Sequence, residues 1–172
     1  MRIFTFFFLL ILTLTGCQNE MQETTPGALV PLPDQTPPVT AQSHMDIINF
    51  FVYLNHGKYE EAVKLYGGEY ETLIYFNPYL DPEDKIGLLK RGCEQNGLQC
   101  LQLYSADLTA RPSETEFVYT VTYRSSDGSQ FVLGPCCGAD ETQMPPTKEF
   151  DVRVICGEQY PCQILDLPPY VP

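Results

Sequence analysis

What the sequence lacks excludes several classes of function. Its 172 residues include no tryptophan and only two histidines, although they include 11 tyrosines and 10 phenylalanines. Aromatic residues without tryptophan give no sign of a carbohydrate-stacking platform. The chain also has no GxSxG, HExxH, P-loop or dinucleotide-binding motif. We therefore predict no catalytic residue, no cofactor and no metal site from the sequence.

Positively charged residues are scarce as well. Ten Lys and Arg stand against 22 Asp and Glu, which gives a formal net charge of −12 at pH 7. A domain this acidic repels phosphate groups, so we expect neither nucleic acid nor anionic lipid headgroups as direct partners. The charge needs no ligand to explain it, because an acidic surface also keeps a domain soluble.

Long hydrophobic runs are missing too, since the N-terminal apolar run covers only residues 3–14. These residues, IFTFFFLLILTL, follow the single positive charge of Arg2. A helix that crosses a membrane needs about 20 predominantly apolar residues. A shorter run with a charge in front and small residues behind is typical of a secretory signal peptide. The sequence therefore predicts a signal peptide over residues 1–16.

The run Leu14-Thr15-Gly16-Cys17 resembles the lipobox of bacterial lipoproteins. The resemblance implies cleavage before Cys17, a diacylglyceryl thioether on its sulfur and acylation of the new amino terminus. Two or more acyl chains anchor a protein stably, whereas one binds only marginally. The implied location is the cell envelope, on the extracytoplasmic side of a membrane, and the outer membrane in a double-membraned cell because Gln18 is not aspartate. The alternative is an ordinary signal peptide whose cysteine is incidental.

A proline-rich segment follows the predicted lipid acceptor. Proline fixes φ and removes a backbone donor, so such a segment cannot continue a helix or enter the middle of a sheet. We interpret residues 17–39 as the lipidated cysteine and an extended tether. Residues 40–172 then suit a single domain with one core. The prolines of the tether are Pro26, Pro31, Pro33, Pro37 and Pro38.

Six further cysteines remain, and an even number in an exported domain predicts structural disulfides. Fifteen connectivities are open to six cysteines. Turn-rich segments between Cys93 and Cys100, and between Cys156 and Cys162, favour these two local pairs. The spacing has no CxxC unit, which argues against a zinc site and a thioredoxin-type motif. The disulfide candidates are Cys93, Cys100, Cys136, Cys137, Cys156 and Cys162.

Cys136 and Cys137 are neighbours, in the run Gly134-Pro135-Cys136-Cys137-Gly138. A disulfide between them would close a strained and easily reduced ring. Alternatively, each bonds a distant cysteine and fastens this loop to the rest of the domain. A redox switch in this segment is a third interpretation.

The hydrophobic period changes from that of helices to that of strands along the domain. We predict helices over Thr40–Asn55, over Lys58–Tyr66 and from Asp81 to about Gly97. Alternating apolar residues then predict about four to five strands. This order is typical of an α+β domain in which three N-terminal helices pack on an antiparallel sheet. The predicted strands lie around Leu101–Ser105, Phe117–Tyr123, Gln130–Leu133, Phe150–Cys156 and Gln163–Leu167.

The order of elements resembles the nuclear-transport-factor-2-like superfamily. The residues that carry the resemblance are Asn49–Val52, Lys58–Tyr66, Thr120–Tyr123 and Ile164–Leu167. More narrowly, the chain is similar to small lipoproteins of unknown function that carry such a domain behind a lipobox and a tether. The resemblance implies a cone-like roll, with a strongly curved sheet that encloses a pocket against the helices.

Two functions of different classes follow as hypotheses. The first is a non-catalytic domain that binds a small apolar ligand or an envelope protein. The second is an isomerase or dehydratase, which would need a titratable group inside the pocket. Its weak candidates are Tyr53, Tyr104 and Asp107. Solvated or capping roles are the default for the remaining polar candidates, which are His44, His56, Asp151 and Asp166.

Overall fold

The computed structural model describes residues 38–157 and 161–171. The predicted signal peptide, Cys17 and nearly all of the predicted tether lie outside these residues. The described chain is an α+β domain in which helices precede a four-stranded antiparallel sheet. The helices are α1 (Val39–Asn55), α2 (Tyr59–Leu65), α3 (Glu71–Phe76) and α4 (Lys85–Glu94). The strands are β1 (Gln102–Ala110), β2 (Glu116–Arg124), β3 (Phe150–Ile155) and β4 (Gln163–Ile164).

The three predicted helices correspond to α1, α2 and α4, and α3 forms as a fourth that was not predicted, within the described residues. Its sequence, ETLIYF, is rich in β-branched and aromatic residues and has little intrinsic preference for a helix. Packing decides instead, since Leu73 is buried against α4. A Cβ on Gly92 would lie 2.7 Å from the end of the Leu73 side chain, so glycine lets the two helices approach this closely without displacing that side chain.

Helix α4 begins at Lys85, four residues later than the predicted start at Asp81. Residues 81–84 form a turn in which the Asp84 amide donates to the carbonyl of Asp81 at 2.9 Å. Asp84 then caps the helix, because its side chain accepts a hydrogen bond from the amide of Gly87 at 2.9 Å.

The sheet has the order β1-β2-β3-β4. The strand predicted over Gln130–Leu133 does not form, and only isolated bridges link Gln130 to Arg124 and Leu133 to Thr147. Strand β3 occupies β2 only up to Val121. The returning chain bonds the free end of β2 from the Phe131 amide to the Tyr123 carbonyl at 2.9 Å, and Leu133 then pairs with Thr147 instead.

The core lies between α1 and one face of the sheet. Strand β2 directs alternate side chains inward, and the register with β3 places Val152 and Val154 on the same face. Helix α1 covers this face, with Phe51 packed edge-on against Tyr123 at 5.5 Å between ring centroids. Large side chains therefore fill the space under the helix. Those of α1 and β2 that are exposed by 1% or less are Ile47, Phe50, Phe51, Leu54, Phe117, Tyr119, Val121 and Tyr123.

The C-terminal chain closes the domain. Tyr66 and Ile164 form a parallel bridge, and the Gly67 amide donates to the Ile164 carbonyl at 2.9 Å. Farther along, Tyr170 pairs with Leu98. Among the described residues, none of the helices combines the length and the apolar character needed to cross a membrane.

Candidate functional site

A buried polar cluster lies between α1 and the sheet. Ser43 is fully buried, and its hydroxyl is 2.7 Å from the hydroxyl of Tyr119. The Ser43 hydroxyl also bonds the carbonyl of Thr40 at 2.9 Å. Burial raises the pKa of Tyr119 above its ordinary value, although the hydrogen bond with Ser43 opposes this. Both hydroxyls have protein partners, so the cluster joins α1 to β2.

Asp46 is the buried carboxylate of the same helix, with 4% of its surface exposed. One oxygen accepts a hydrogen bond from the amide of Cys162 at 2.8 Å, and the other accepts from the Gln42 side chain at 2.9 Å. Each oxygen is thus engaged by a protein donor. The arrangement fastens α1 to the start of β4 and presents no free carboxylate to a substrate.

The structure joins four of the six cysteines in local pairs. Cys93 bonds Cys100 with the Cα atoms 5.4 Å apart, and Cys156 bonds Cys162 with the Cα atoms 4.2 Å apart. The first pair links the end of α4 to the approach to β1. The second closes the β3–β4 connection, and its sulfurs lie in the core.

Cys136 and Cys137 lie together, away from the other cysteines, in the long β2–β3 connection. Their sulfur atoms are 2.9 Å apart, and Cys137 is exposed. Among the residues that the structure describes, these are the cysteines outside a disulfide.

The other polar candidates from the sequence are dispersed over the surface. His44 and His56 are both exposed, and the His56 ring nitrogen Nδ1 lies 2.8 Å from the carbonyl of Val52. Tyr104 is 59% exposed and lies under the guanidinium of Arg124 at 4.3 Å. His44 lies in the second turn of α1, with its ring 5.8 Å from that of Tyr119. His56 lies at the end of α1 and Tyr104 on the edge strand β1, so these side chains do not form one site.

The remaining candidates face outward from the sheet or sit at its margin. Asp107 is exposed, and the exposed Asp151 accepts a hydrogen bond from Thr120 at 2.8 Å. Tyr53 is half-buried on α1. Only Asp166 borders a sizeable cleft.

That cleft, of about 490 Å³, lies between the end of α2 and the segment after β4. A bidentate ion pair lines it, because Arg153 donates to both carboxylate oxygens of Asp166 at 2.7 and 2.9 Å. Partial burial acts to raise the pKa of Asp166, but the bonds from Arg153 outweigh it and hold the pKa below its usual range. The two opposite charges are paired with each other. The ion pair therefore holds β3 to the segment after β4 and leaves neither group free to bind an ion.

Tyrosines behind this cleft are held neutral. The Tyr66 hydroxyl donates to the carbonyl of Glu69 at 2.8 Å, and burial raises its pKa well above the ordinary value. Burial also raises the pKa of Tyr70 to about 12. Neither group can serve as a base near neutral pH.

An exposed aromatic surface stands out at the end of α3, and we define the aromatic patch as Tyr75, Phe76, Tyr79 and Tyr170. Phe76 stacks on Tyr170 with the ring centroids 5.0 Å apart, and Tyr75 packs edge-on against Phe76 at 5.2 Å. Tyr75 is 78% exposed and Tyr79 is 99% exposed. Exposed apolar side chains are ordinary when single, but contiguous ones mark interaction sites.

A fixed turn presents the aromatic patch. The amide of Leu80 donates to the carbonyl of Asn77 at 3.0 Å, with Pro78 and Tyr79 at the turn's centre. The Asn77 side chain is buried and donates to the carbonyl of Leu73 at 2.7 Å. The turn is therefore tied to α3, and the Tyr79 ring is held in solvent.

Sequence reasoning missed the aromatic patch, Ser43 and Asp46. The signal for Ser43 and Asp46 was present, since both lie on the helical face that carries Ile47 and Phe50. The patch had no comparable signal, because Phe76 and Tyr170 are brought together only by the fold.

A comparison with known proteins finds no family model that matches the chain and no curated protein or solved structure that resembles it significantly.

Proposed function

We propose that the protein is a lipid-anchored domain of the cell envelope that binds another envelope protein through the aromatic patch. The observation that carries the proposal is the group of exposed rings at the end of α3 and on the ordered turn after it. Tyrosine is enriched at the energetic centres of protein interfaces, where its ring is buried by the partner. Rings that already stack, as Phe76 does on Tyr170, lose less conformational entropy on binding than isolated side chains do.

The filled interior favours a protein partner over a small apolar ligand. A ligand pocket of this fold class would lie between α1 and the sheet, where the aromatic side chains of Phe50, Phe51 and Tyr123 are packed. A ligand would have to displace them, and burial of one such side chain contributes about 1.5–3 kcal/mol. The same packing weakens the alternative of a pocket-based isomerase or dehydratase.

The anchoring part of the proposal depends on the lipobox-like residues that end in Cys17. It expects acyl chains on the Cys17 sulfur and amino terminus, with the tether holding the domain off the membrane surface. Changing Cys17→Ser should release the protein from the membrane fraction, and mass spectrometry of the wild-type N-terminal peptide should show the acyl groups. An unmodified Cys17 would contradict the lipid anchor and would leave the proposed binding surface untouched.

We also propose that the domain is a cone-like roll of the nuclear-transport-factor-2-like type. Two features support it. Strand β1 has irregular register steps between Leu103 and Ser105 and between Leu108 and Ala110, and bulges of this kind bend a sheet. Helix α1 lies on the inward face of the sheet, as the resemblance implies.

The interaction is tested by a photo-crosslinking residue at position 79 in the full-length protein in its own membranes. Tyr79 is almost fully exposed, so its replacement leaves the fold intact. We expect one discrete adduct, and we expect the added change Tyr75→Ser to reduce its yield about tenfold, the effect of losing about 1.4 kcal/mol of binding energy.

The matched control places the same crosslinker at Thr109, which is exposed on β1 and distant in sequence from the patch. It should give no adduct of that mass. Two results would refute the aromatic patch as the binding surface. One is an equal adduct yield from positions 79 and 109, and the other is an adduct yield at position 79 that Tyr75→Ser leaves unchanged.

A further inference from the structure

The loop that carries Cys136 and Cys137 is closed at its base. Leu133 and Thr147 exchange two backbone hydrogen bonds, of 2.7 and 2.9 Å. Within the loop, the Asp140 side chain accepts from the amides of Thr142 and Gln143 at 2.9 and 3.1 Å. The segment is thus an ordered projection of the domain.

The two cysteines lie in a tight turn with an unusual backbone. The amide of Ala139 donates to the carbonyl of Cys136 at 3.0 Å, so Cys137 and Gly138 occupy the central positions. Both have positive φ, of +60° and +89°. Turns with two positive φ values are normally built from Gly, Asn or Asp. Among the described residues, Cys137 is the only non-glycine residue in this region, and such outliers cluster at functional sites.

The sulfur atoms are placed to react with each other. Their separation of 2.9 Å is roughly 0.9 Å longer than the ~2.05 Å of a disulfide bond. Cys137 is exposed and Cys136 is half-buried, whereas the sulfurs of the Cys156–Cys162 bond belong to the core. Cys137 is therefore more accessible to reagents in solution than the cysteines of either disulfide, since Cys93 and Cys100 are half-buried.

We propose that Cys136 and Cys137 form a reversible vicinal dithiol–disulfide site that exchanges with small disulfides. This site is separate from the aromatic patch and does not depend on the proposed function. Its substrate class is a low-molecular-weight disulfide, which is reduced to two thiols while the vicinal disulfide forms. The reverse reaction consumes two small thiols.

The reaction proceeds in two balanced steps. The exposed Cys137 thiolate attacks one sulfur of the small disulfide, which forms a mixed disulfide and releases one thiolate. Cys136 then attacks the Cys137 sulfur and releases the second thiolate. The protons of both cysteines pass through solvent to the two released thiolates.

Cys136 is suited to the second step. The hydrogen bond with Cys137 raises the pKa of the Cys136 thiol, and slight burial and the charge of Cys137 act in the same direction. Formation of the mixed disulfide removes the Cys137 charge and thereby favours ionisation of Cys136.

Charge should select among small disulfides. The chain has a formal net charge of −12, and Asp140 and Glu141 lie exposed in the same loop. Cystamine, which is cationic, should react faster than anionic oxidised glutathione at low salt. Screening at higher ionic strength should reduce the difference.

The test uses the full-length protein in detergent, treated with increasing concentrations of dithiothreitol. Free thiols are then alkylated with iodoacetamide and counted by intact-mass spectrometry. We expect two alkyl groups, mapped to Cys136 and Cys137, at roughly tenfold less reductant than the other four sites require. Joint reduction of all six cysteines, or bonds from Cys136 and Cys137 to different partners, would overturn the proposal.

Reoxidation by cystamine provides an independent readout. The reduced wild-type pair should lose two alkylatable thiols without gaining mass from cysteamine. Cys136→Ser should stop at a mixed disulfide that carries one cysteamine. Cys137→Gly, which suits the positive φ and preserves the turn, should leave Cys136 to react slowly. Two stable cysteamine adducts on the wild-type chain would show that the Cys136–Cys137 disulfide does not form, and would contradict the proposal.

Discussion

At the scale of single residues, the domain depends on a few buried polar atoms that join elements distant in sequence. Asp46 is the clearest case, because its carboxylate binds the amide of Cys162, 116 residues later. Ser43 joins α1 to β2 through Tyr119, 76 residues later. A buried donor left without an acceptor costs more than an average hydrogen bond contributes. These residues therefore specify where α1 lies on the sheet.

Asp46→Ala should lower the free energy of unfolding by about 1–3 kcal/mol, because it leaves the buried Cys162 amide without its acceptor. Urea unfolding with disulfides intact measures the change. Asp46→Asn, which keeps a carbonyl oxygen of similar position, should cost less. Asp107→Ala is the surface control, and it should stay within about 0.5 kcal/mol of the wild type. An equal loss for Asp46→Ala and Asp107→Ala would contradict the structural role.

At the scale of elements, close backbone approaches decide how the helices meet the rest of the chain. The chain after α2 passes directly beside the chain after β4. A Cβ on Gly68 would overlap the Leu165 carbonyl oxygen and lie 2.6 Å from the Tyr66 hydroxyl. A rigid carbonyl cannot give way as the end of a flexible side chain can. Gly68 is thus required by its neighbours rather than by its own backbone angles.

Gly68→Ala should destabilise the domain by about 1–3 kcal/mol, which is typical of overpacking. Gly134→Ala is the matched control, because nothing lies within 4 Å of the added Cβ, and its effect should stay near zero. The midpoints of urea unfolding compare the two variants directly. A stable Gly68→Ala protein with an unchanged midpoint would show that α2 and the C-terminal chain are farther apart than described.

At the scale of the whole molecule, the dominant property is an excess of acidic groups. Net negative charge opposes compaction through self-repulsion, and this repulsion weakens as the pH approaches the isoelectric point of about 4.4. The Arg153–Asp166 pair has the opposite dependence. Since the pKa of Asp166 is below its ordinary value in the folded state, the pair stabilises the fold above the unfolded pKa, and this contribution is lost as the pH falls through the folded pKa.

Asp166→Asn should therefore be less stable than the wild type at pH 7 by up to about 1 kcal/mol, a limit set by the exposure of Arg153. The difference should shrink toward zero near pH 2. Asp107→Asn removes the same charge without an ion pair and serves as the control. The test is to measure the unfolding free energies of the three proteins across this pH range. The prediction would fail if the difference between the wild type and Asp166→Asn did not change with pH.

Much of the local structure was predictable from particular residues. The alternation from Phe117 to Tyr123 predicted β2. The spacing of five apolar residues predicted α1, and three of them are buried, but Ile48 and Val52 were wrongly placed on the buried face because each is 37% exposed. The five residues are Ile47, Ile48, Phe51, Val52 and Leu54. Helix α3 was not predicted, because most of its residues are β-branched or aromatic, and its Leu73 packs beside Gly92 of α4 only in the folded chain. The strand expected over Gln130–Leu133 was wrong, since Leu133 pairs with Thr147, a contact that the local pattern does not reveal.

The sequence by itself determined the acidic charge, the helix-then-strand order and the even set of cysteines in the domain. These depend on composition and on local periodicity, which act within a few residues. The tertiary structure decided which cysteines lie apart, which polar groups are buried and which aromatic rings meet at the surface. Those outcomes depend on contacts between residues far apart in sequence, such as Phe76 with Tyr170, and such contacts exist only once the chain has folded.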